Sequence, residues 1–168
     1  EIEELSTSQV LKEQYWTRTK GPVRTAMEQS LDLLDKYKLE PEMGHKEVGG
    51  VKSKLTEGGV LSHIMEQLEI DWKYSTALQT CDNELLARGL IKETFRKNGL
   101  DVTFQAKPID GVAGNGEHLH VGVTLKLKSG KVMNLFHNYS EKDFMSEIGY
   151  GAIMGLLRNY EVVNPFVS

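Results

Sequence analysis

The apolar residues of this chain change their spacing along the sequence, and this change limits the folds it can form. Residues 22–38 place apolar side chains at helical spacing with acids and lysines between them, which predicts an amphipathic helix. Residues 66–72 instead alternate apolar and polar side chains, the pattern of a strand with one buried face. From Tyr74 the helical spacing returns and ends near Asn98-Gly99, a common helix stop. The first hundred residues therefore mix helices with strand.

Shorter patterns extend this mixture to the rest of the chain. We expect strands at 44–48 and 102–106, and a hairpin formed by 118–127 and 132–136. A capping-box-like start at Ser140 predicts a last helix, whose buried side we expect to consist of Phe144, Ile148, Ala152, Gly155 and Leu156. Helices separated by hairpin-like strands favour an α+β fold, with an antiparallel sheet flanked by helices, over a doubly wound sheet.

Two segments give weaker signals. Residues 1–20 are polar with no clear period, and we expect an arm or a partial helix there. Residues 52–65 mix Lys, Ser, Thr and Gly and suggest an inserted loop or a hairpin. We assign no role to His63 in that segment or to His137.

Composition narrows the class of protein. The chain has 168 residues, of which 39% are hydrophobic and 26% charged, so we expect one globular domain over residues 1–168. A formal net charge of −4 without a basic tract argues against nucleic-acid binding, and no apolar run approaches the length of a membrane span. The single cysteine, Cys81, excludes an intrachain disulfide, and we expect an inert core thiol in a cytoplasmic protein.

Four side chains suggest chemistry. His118 and His120 follow a glycine-rich loop and alternate onto one face of the expected strand, while Glu69 lies on the polar face of its strand. Two glutamates, Glu47 and Glu69, with one histidine would supply the oxygen and nitrogen ligands that Mg²⁺ or Mn²⁺ accepts. Hydrogen-bonded surface histidines and solvated carboxylates are the alternative. The spacing alone leaves both interpretations open.

Five ordered segments resemble the catalytic domain of glutamine synthetases. They are G-H-K-E-V at 44–48, Q-L-E at 67–69, T-F-Q-A-K-P at 103–108, G-N-G-E-H-L-H at 114–120 and N-L-F at 134–136. The resemblance runs from about Thr25 to the end of the chain and covers a middle portion of that domain. The pairing of the third and fourth segments is its most specific part.

The resemblance implies a fold of the glutamine synthetase/guanido kinase-like type. It implies ATP-dependent ligation of ammonia to glutamate through γ-glutamyl phosphate, with two or more Mg²⁺ or Mn²⁺ ions per site. It also implies a homo-oligomeric ring in the parent protein. The implied site residues fall into three groups: the metal ligands Glu47, Glu69 and His118, the nucleotide-binding residues His120 and Tyr74, and the substrate-binding residue Gly114. No residue is assigned as catalytic.

The sequence also departs from the family pattern. Lys46 replaces the usual second histidine beside the metal, and Ala113 replaces an asparagine that binds substrate. Gly122 lies where the family often has a serine. The paired-glutamate strand and the later arginines of the family have no counterpart, so we expect an excised core that is inactive alone. Two alternatives remain: a γ-glutamyl ligase for another amine, and a non-catalytic structural or partner-binding member of the fold.

Overall fold

A computed structural model describes residues 2–7, 19, 21–55, 62–108, 110, 114–140 and 143–166. The elements, in chain order, are β1 (Ile2–Thr7), α1 (Gly21–Lys36), β2 (Pro41–Leu55), β3 (Ser62–Trp72), α2 (Ala77–Lys97), β4 (Thr124–Lys126), β5 (Val132–Asn134), α3 (Glu147–Arg158), α4 (Tyr160–Val163) and a 3₁₀ turn (Asn164–Phe166). The chain divides into two compact units, Glu1–Gly116 and Glu117–Ser168. The predicted α+β class is confirmed, and the single domain over 1–168 stays a prediction.

An antiparallel sheet of three strands, in the order β1-β2-β3, forms the first unit with α1 and α2. β2 and β3 are long because they continue through the segment that suggested an inserted loop or a hairpin, with Ser53 opposite His63. The hairpin alternative is therefore confirmed, and residues 56–61 lie outside the described residues. β1 occupies part of the segment expected to be an arm or a partial helix, so that expectation is wrong for residues 2–7.

The core of the first unit lies between the two helices and one face of β3. Both predicted helices are confirmed, and Pro22 occupies the first turn of α1, where its missing N–H costs nothing. Leu34 and Ala87 are buried in one cluster with Leu39, and Ile70 and Trp72 pack against it. Because side chains alternate along a strand, the polar residues between them in β3 lie on the opposite face of the sheet.

The buried face of α2 differs from the predicted one. Cys81 is exposed, so the expectation of a core thiol is wrong. Leu78 and Leu85, which the apolar spacing after Tyr74 places on the same predicted buried side as Cys81, are also exposed. Asn83 instead is buried, and its Nδ2 donates to the carbonyl of Leu39 at 3.2 Å. This hydrogen bond satisfies the polar group that faces the core, and the buried side of α2 consists of Asn83, Ala87, Thr94 and Phe95.

The second unit contains the short hairpin of β4 and β5. Its strands pair over three positions, from Thr124 opposite Asn134 to Lys126 opposite Val132. The strand predicted at 118–127 is therefore too long, and the described residues 102–106 belong to no strand. Alternating side chains give a segment the capacity to form a strand, but a strand also needs a neighbour that accepts its backbone hydrogen bonds.

The last long helix begins later than predicted. Ser146 caps α3, because its Oγ accepts a hydrogen bond from the Gly149 amide at 3.1 Å. The earlier candidate, Ser140, is engaged elsewhere, since its Oγ donates to Asn138 Oδ1 at 2.6 Å. Phe144 consequently precedes the helix and is 92% exposed, and Ile148 and Leu156 are also exposed, so the predicted buried side of this helix is wrong. Among the helices that the structure describes, none combines the length and apolarity needed to cross a membrane.

Candidate functional site

The polar face of the β2–β3 pair gathers one histidine and several carboxylates. His45 lies directly opposite Glu69 in the ladder, and Asp71 is on the same face two residues further along β3. His45 Nε2 is 3.4 Å from Glu69 Oε2 and 3.4 Å from Asp71 Oδ2, and its Nδ1 is 4.0 Å from Glu47 Oε2. The two predicted glutamate ligands therefore meet around His45.

The geometry of this cluster fits a divalent cation. One ligand atom from each of His45, Glu69 and Asp71 lies within 4.8 Å of the other two. Oxygen ligands lie about 2.0–2.6 Å from Mg²⁺ or Ca²⁺, so two ligands on opposite sides of one ion are about 4–5 Å apart. Carboxylate oxygens suit Mg²⁺ and Mn²⁺, and an imidazole nitrogen is better tolerated by Mn²⁺.

The electrostatics of the cluster also favour a cation. The pKa of Glu69 is raised above its usual value, first by a hydrogen bond with Glu47 and then by burial. Repulsion from Glu47 and Asp71 adds to this rise, and attraction to His45 opposes it. The cluster thus holds more negative charge than His45 alone offsets, and a bound metal ion would relieve the repulsion.

A second polar contact joins β3 to the glycine-rich loop. The Gln67 side-chain amide donates to the carbonyl of Gly114 at 2.7 Å and to Asn115 Oδ1 at 3.1 Å. A Cβ added to Gly114 would overlap the Ala106 carbonyl oxygen. The loop backbone therefore lies against residue 106 at a distance that only glycine allows.

The remaining predicted site residues lie outside this cluster and are exposed. The His118 and His120 rings meet edge to face with centroids 5.5 Å apart, and both side chains are exposed in the second unit. Tyr74 is 98% exposed in the segment between β3 and α2. The structure thus brings Glu47 and Glu69 together in one unit and the two histidines together in the other. The gathering of all four at one site stays a prediction.

Sequence reasoning missed two members of the cluster, His45 and Asp71. Both were detectable, because each lies two positions from a predicted glutamate ligand and so shares its face of the strand. Lys46, which departs from the family pattern, alternates onto the other face. Its Nζ lies 3.7 Å from Glu66 Oε1, with both side chains largely buried.

Comparison with known proteins gives a consistent family match. Residues 11–168 match the family model described as glutamine synthetase, catalytic domain. A glutamine synthetase of Clostridium saccharobutylicum is 37% identical over 106 residues, which are 61% of this chain and 23% of that protein. A glutamine synthetase of Pyrococcus abyssi is 32% identical over 141 residues, 82% of this chain and 27% of that protein. The chain thus spans about a quarter of the length of these relatives.

Proposed function

The chain belongs to the glutamine synthetase family, within its catalytic domain, and from this membership we propose that the protein carrying it ligates ammonia to glutamate. The reaction consumes ATP and proceeds through γ-glutamyl phosphate, whose acyl carbon the ammonia nitrogen then attacks with loss of phosphate. The observation that carries the proposal is the cluster of His45, Glu69 and Asp71 on one sheet face, with donor atoms within 4.8 Å of one another. Phosphoryl transfer depends largely on positioning and charge neutralisation, and divalent cations supply that neutralisation.

We assign the site residues as follows. Glu47 and Glu69 hold one Mg²⁺ or Mn²⁺ ion, and the geometry adds His45 and Asp71 as nearby donors for it. The other assigned residues lie after β3: His118 holds a second cation, His120 and Tyr74 contact the nucleotide, and Gly114 contacts glutamate.

Phosphate release by the full-length protein that contains this chain tests the proposal. We expect release only when ATP, glutamate, ammonia and Mn²⁺ or Mg²⁺ are all present. Glu69→Gln and His118→Ala should each abolish it, because each removes a ligand of a different cation. His137→Ala is the matched control, since this histidine contacts Tyr139 and has no assigned role.

Full activity in both Glu69→Gln and His118→Ala would refute the assignment. Full-length protein that binds neither Mn²⁺ nor an ATP analogue would instead be the non-catalytic member of the fold.

A second candidate is a ligase that joins glutamate to another amine. Ala113 favours it, because alanine lacks the side-chain amide of the substrate-binding asparagine in the family pattern. A panel of primary amines compared with ammonia in the phosphate-release assay separates the two functions, and preference for ammonia would remove this candidate. We further propose a homo-oligomeric ring and a cytoplasmic location for the parent protein.

A further inference from the structure

Gln67 lies on the metal-binding face of β3 but is not a metal ligand. It is two residues before Glu69, so the two side chains share a face and their Cα atoms are about 7 Å apart along the strand. Its half-buried amide nitrogen uses both of its hydrogens, donating to the Gly114 carbonyl at 2.7 Å and to Asn115 Oδ1 at 3.1 Å. This contact joins positions separated by 47 and 48 residues in the sequence.

The loop residues that accept these hydrogen bonds, Gly114 and Asn115, are themselves held by further contacts. Asn115 donates from its backbone amide to the Ala106 carbonyl at 2.9 Å and from Nδ2 to the Gln105 carbonyl at 2.6 Å. Gly114 lies so close to the Ala106 carbonyl oxygen that no side chain fits between them. The loop therefore has one position against residues 105–106, and Gln67 holds that position against β3.

We infer that Gln67 is a positioning residue that sets the distance between the substrate loop at Gly114 and the cation held by Glu69. The inference rests on the function proposed above, in which Gly114 contacts glutamate. Phosphoryl transfer requires the acceptor carboxylate and the cation-bound phosphate to be aligned, so a shift of the loop weakens the use of glutamate. Gln67 touches neither substrate nor metal in this role.

Two substitutions at this position separate hydrogen-bond donation from simple space filling. Gln67→Met keeps the length of the side chain and removes both donors, whereas Gln67→Glu places acceptors against two acceptors. Gln29→Met is the matched control, because Gln29 accepts a hydrogen bond from Asn98, the residue that follows α2, and lies outside the sheet. Thermal unfolding of each variant checks that it folds.

The first measurement is hydrogen exchange of the Asn115 amide in the 168-residue chain. We expect exchange about tenfold faster in Gln67→Met than in wild type, and faster still in Gln67→Glu, because two hydrogen bonds that hold the loop are lost. The Thr80 amide, which donates to the Thr76 carbonyl at 2.9 Å, serves as the internal reference. Unchanged Asn115 exchange in both Gln67 variants would overturn the inference.

The second measurement is steady-state kinetics of the full-length protein. Gln67→Met should raise the KM for glutamate about tenfold while the KM for ATP and the dissociation constant for Mn²⁺ stay within about twofold. Faster exchange without a change in the KM for glutamate would make Gln67 a structural residue and overturn the positioning role. If the wild-type protein uses no glutamate, the proposed function fails, and exchange at Asn115 still decides whether Gln67 holds the loop.

Discussion

Replacing Glu69 by glutamine should make the metal-free chain more stable and the metal-bound chain less stable. The side chain is 31% exposed, and its pKa is raised because the hydrogen bond with Glu47, burial and two like charges outweigh the attraction of His45. The substitution removes the negative charge of residue 69 and keeps the shape of its side chain. The unfolding free energy of the metal-free chain should rise by about 0.5 kcal/mol, the size of one partly exposed charge interaction. This gain corresponds to a rise of about 1–2 °C in Tm.

The pH dependence of this gain has a defined sign. A carboxyl whose pKa is raised in the folded chain binds its proton more tightly there than in the unfolded chain. The stability that Glu69 contributes is therefore complete below its usual pKa of 4.5 and is lost as the pH rises through the folded value. The advantage of Glu69→Gln over wild type should accordingly be present at pH 7 and vanish in acid.

Metal binding reverses the order of stability. At a Mn²⁺ concentration 100 times the dissociation constant, wild type gains about 2.7 kcal/mol of unfolding free energy. Loss of a ligand that weakens binding about tenfold reduces this gain to about 1.4 kcal/mol at the same concentration, so about half of the metal-induced rise in Tm disappears. Calorimetric unfolding of wild type and Glu69→Gln, with and without Mn²⁺, measures the gain without metal and the smaller metal-induced rise in Tm.

Glu93→Gln is the control for these measurements. Glu93 accepts hydrogen bonds from Arg96, and this guanidinium lowers the pKa of the carboxyl. Its contribution to stability is lost as the pH falls, so the sign of its pH dependence is opposite to that of Glu69. Mn²⁺ should stabilise Glu93→Gln as much as wild type. If Glu69→Gln were less stable than wild type without metal, Glu69 would be a stabilising partner of His45, and the reasoning about excess negative charge would be refuted.

Three further predictions concern the fold, and chemical denaturation measures each of them. Leu34→Ala should cost about 3 kcal/mol, because Leu34 is fully buried in the core cluster of the first unit, and a loss under about 1 kcal/mol would contradict that packing. Lys38→Gly should stabilise the chain by about 1 kcal/mol, since Lys38 has a φ of 64° after α1, and a loss of stability would show that its side chain matters more than its backbone. Ser146→Ala should destabilise the cap of α3 by about 1 kcal/mol, while Ser146→Thr retains most of that stability because its hydroxyl can still accept from the Gly149 amide and donate to the Leu135 carbonyl; equal losses in both variants would contradict the capping role.

The sequence determined the features that depend on neighbouring residues. Apolar spacing located α1 and α2, and the alternation of residues 66–72 showed which side chains of β3 face the core. That same alternation put Glu69 on the polar face without any knowledge of its partners. These predictions hold because the periods of a helix and a strand are set by backbone geometry within a few residues.

Tertiary structure decided the features that depend on distant partners. The ladder places His45 opposite Glu69, and in this register Asp71 Oδ2 lies 3.4 Å from the same imidazole nitrogen. Asn83 likewise faces the core, where the Leu39 carbonyl accepts its hydrogen bond, and Cys81 is exposed. Short-range periodicity is silent on such contacts, because a register shift of one residue would keep the pattern and exchange the two faces of the strand.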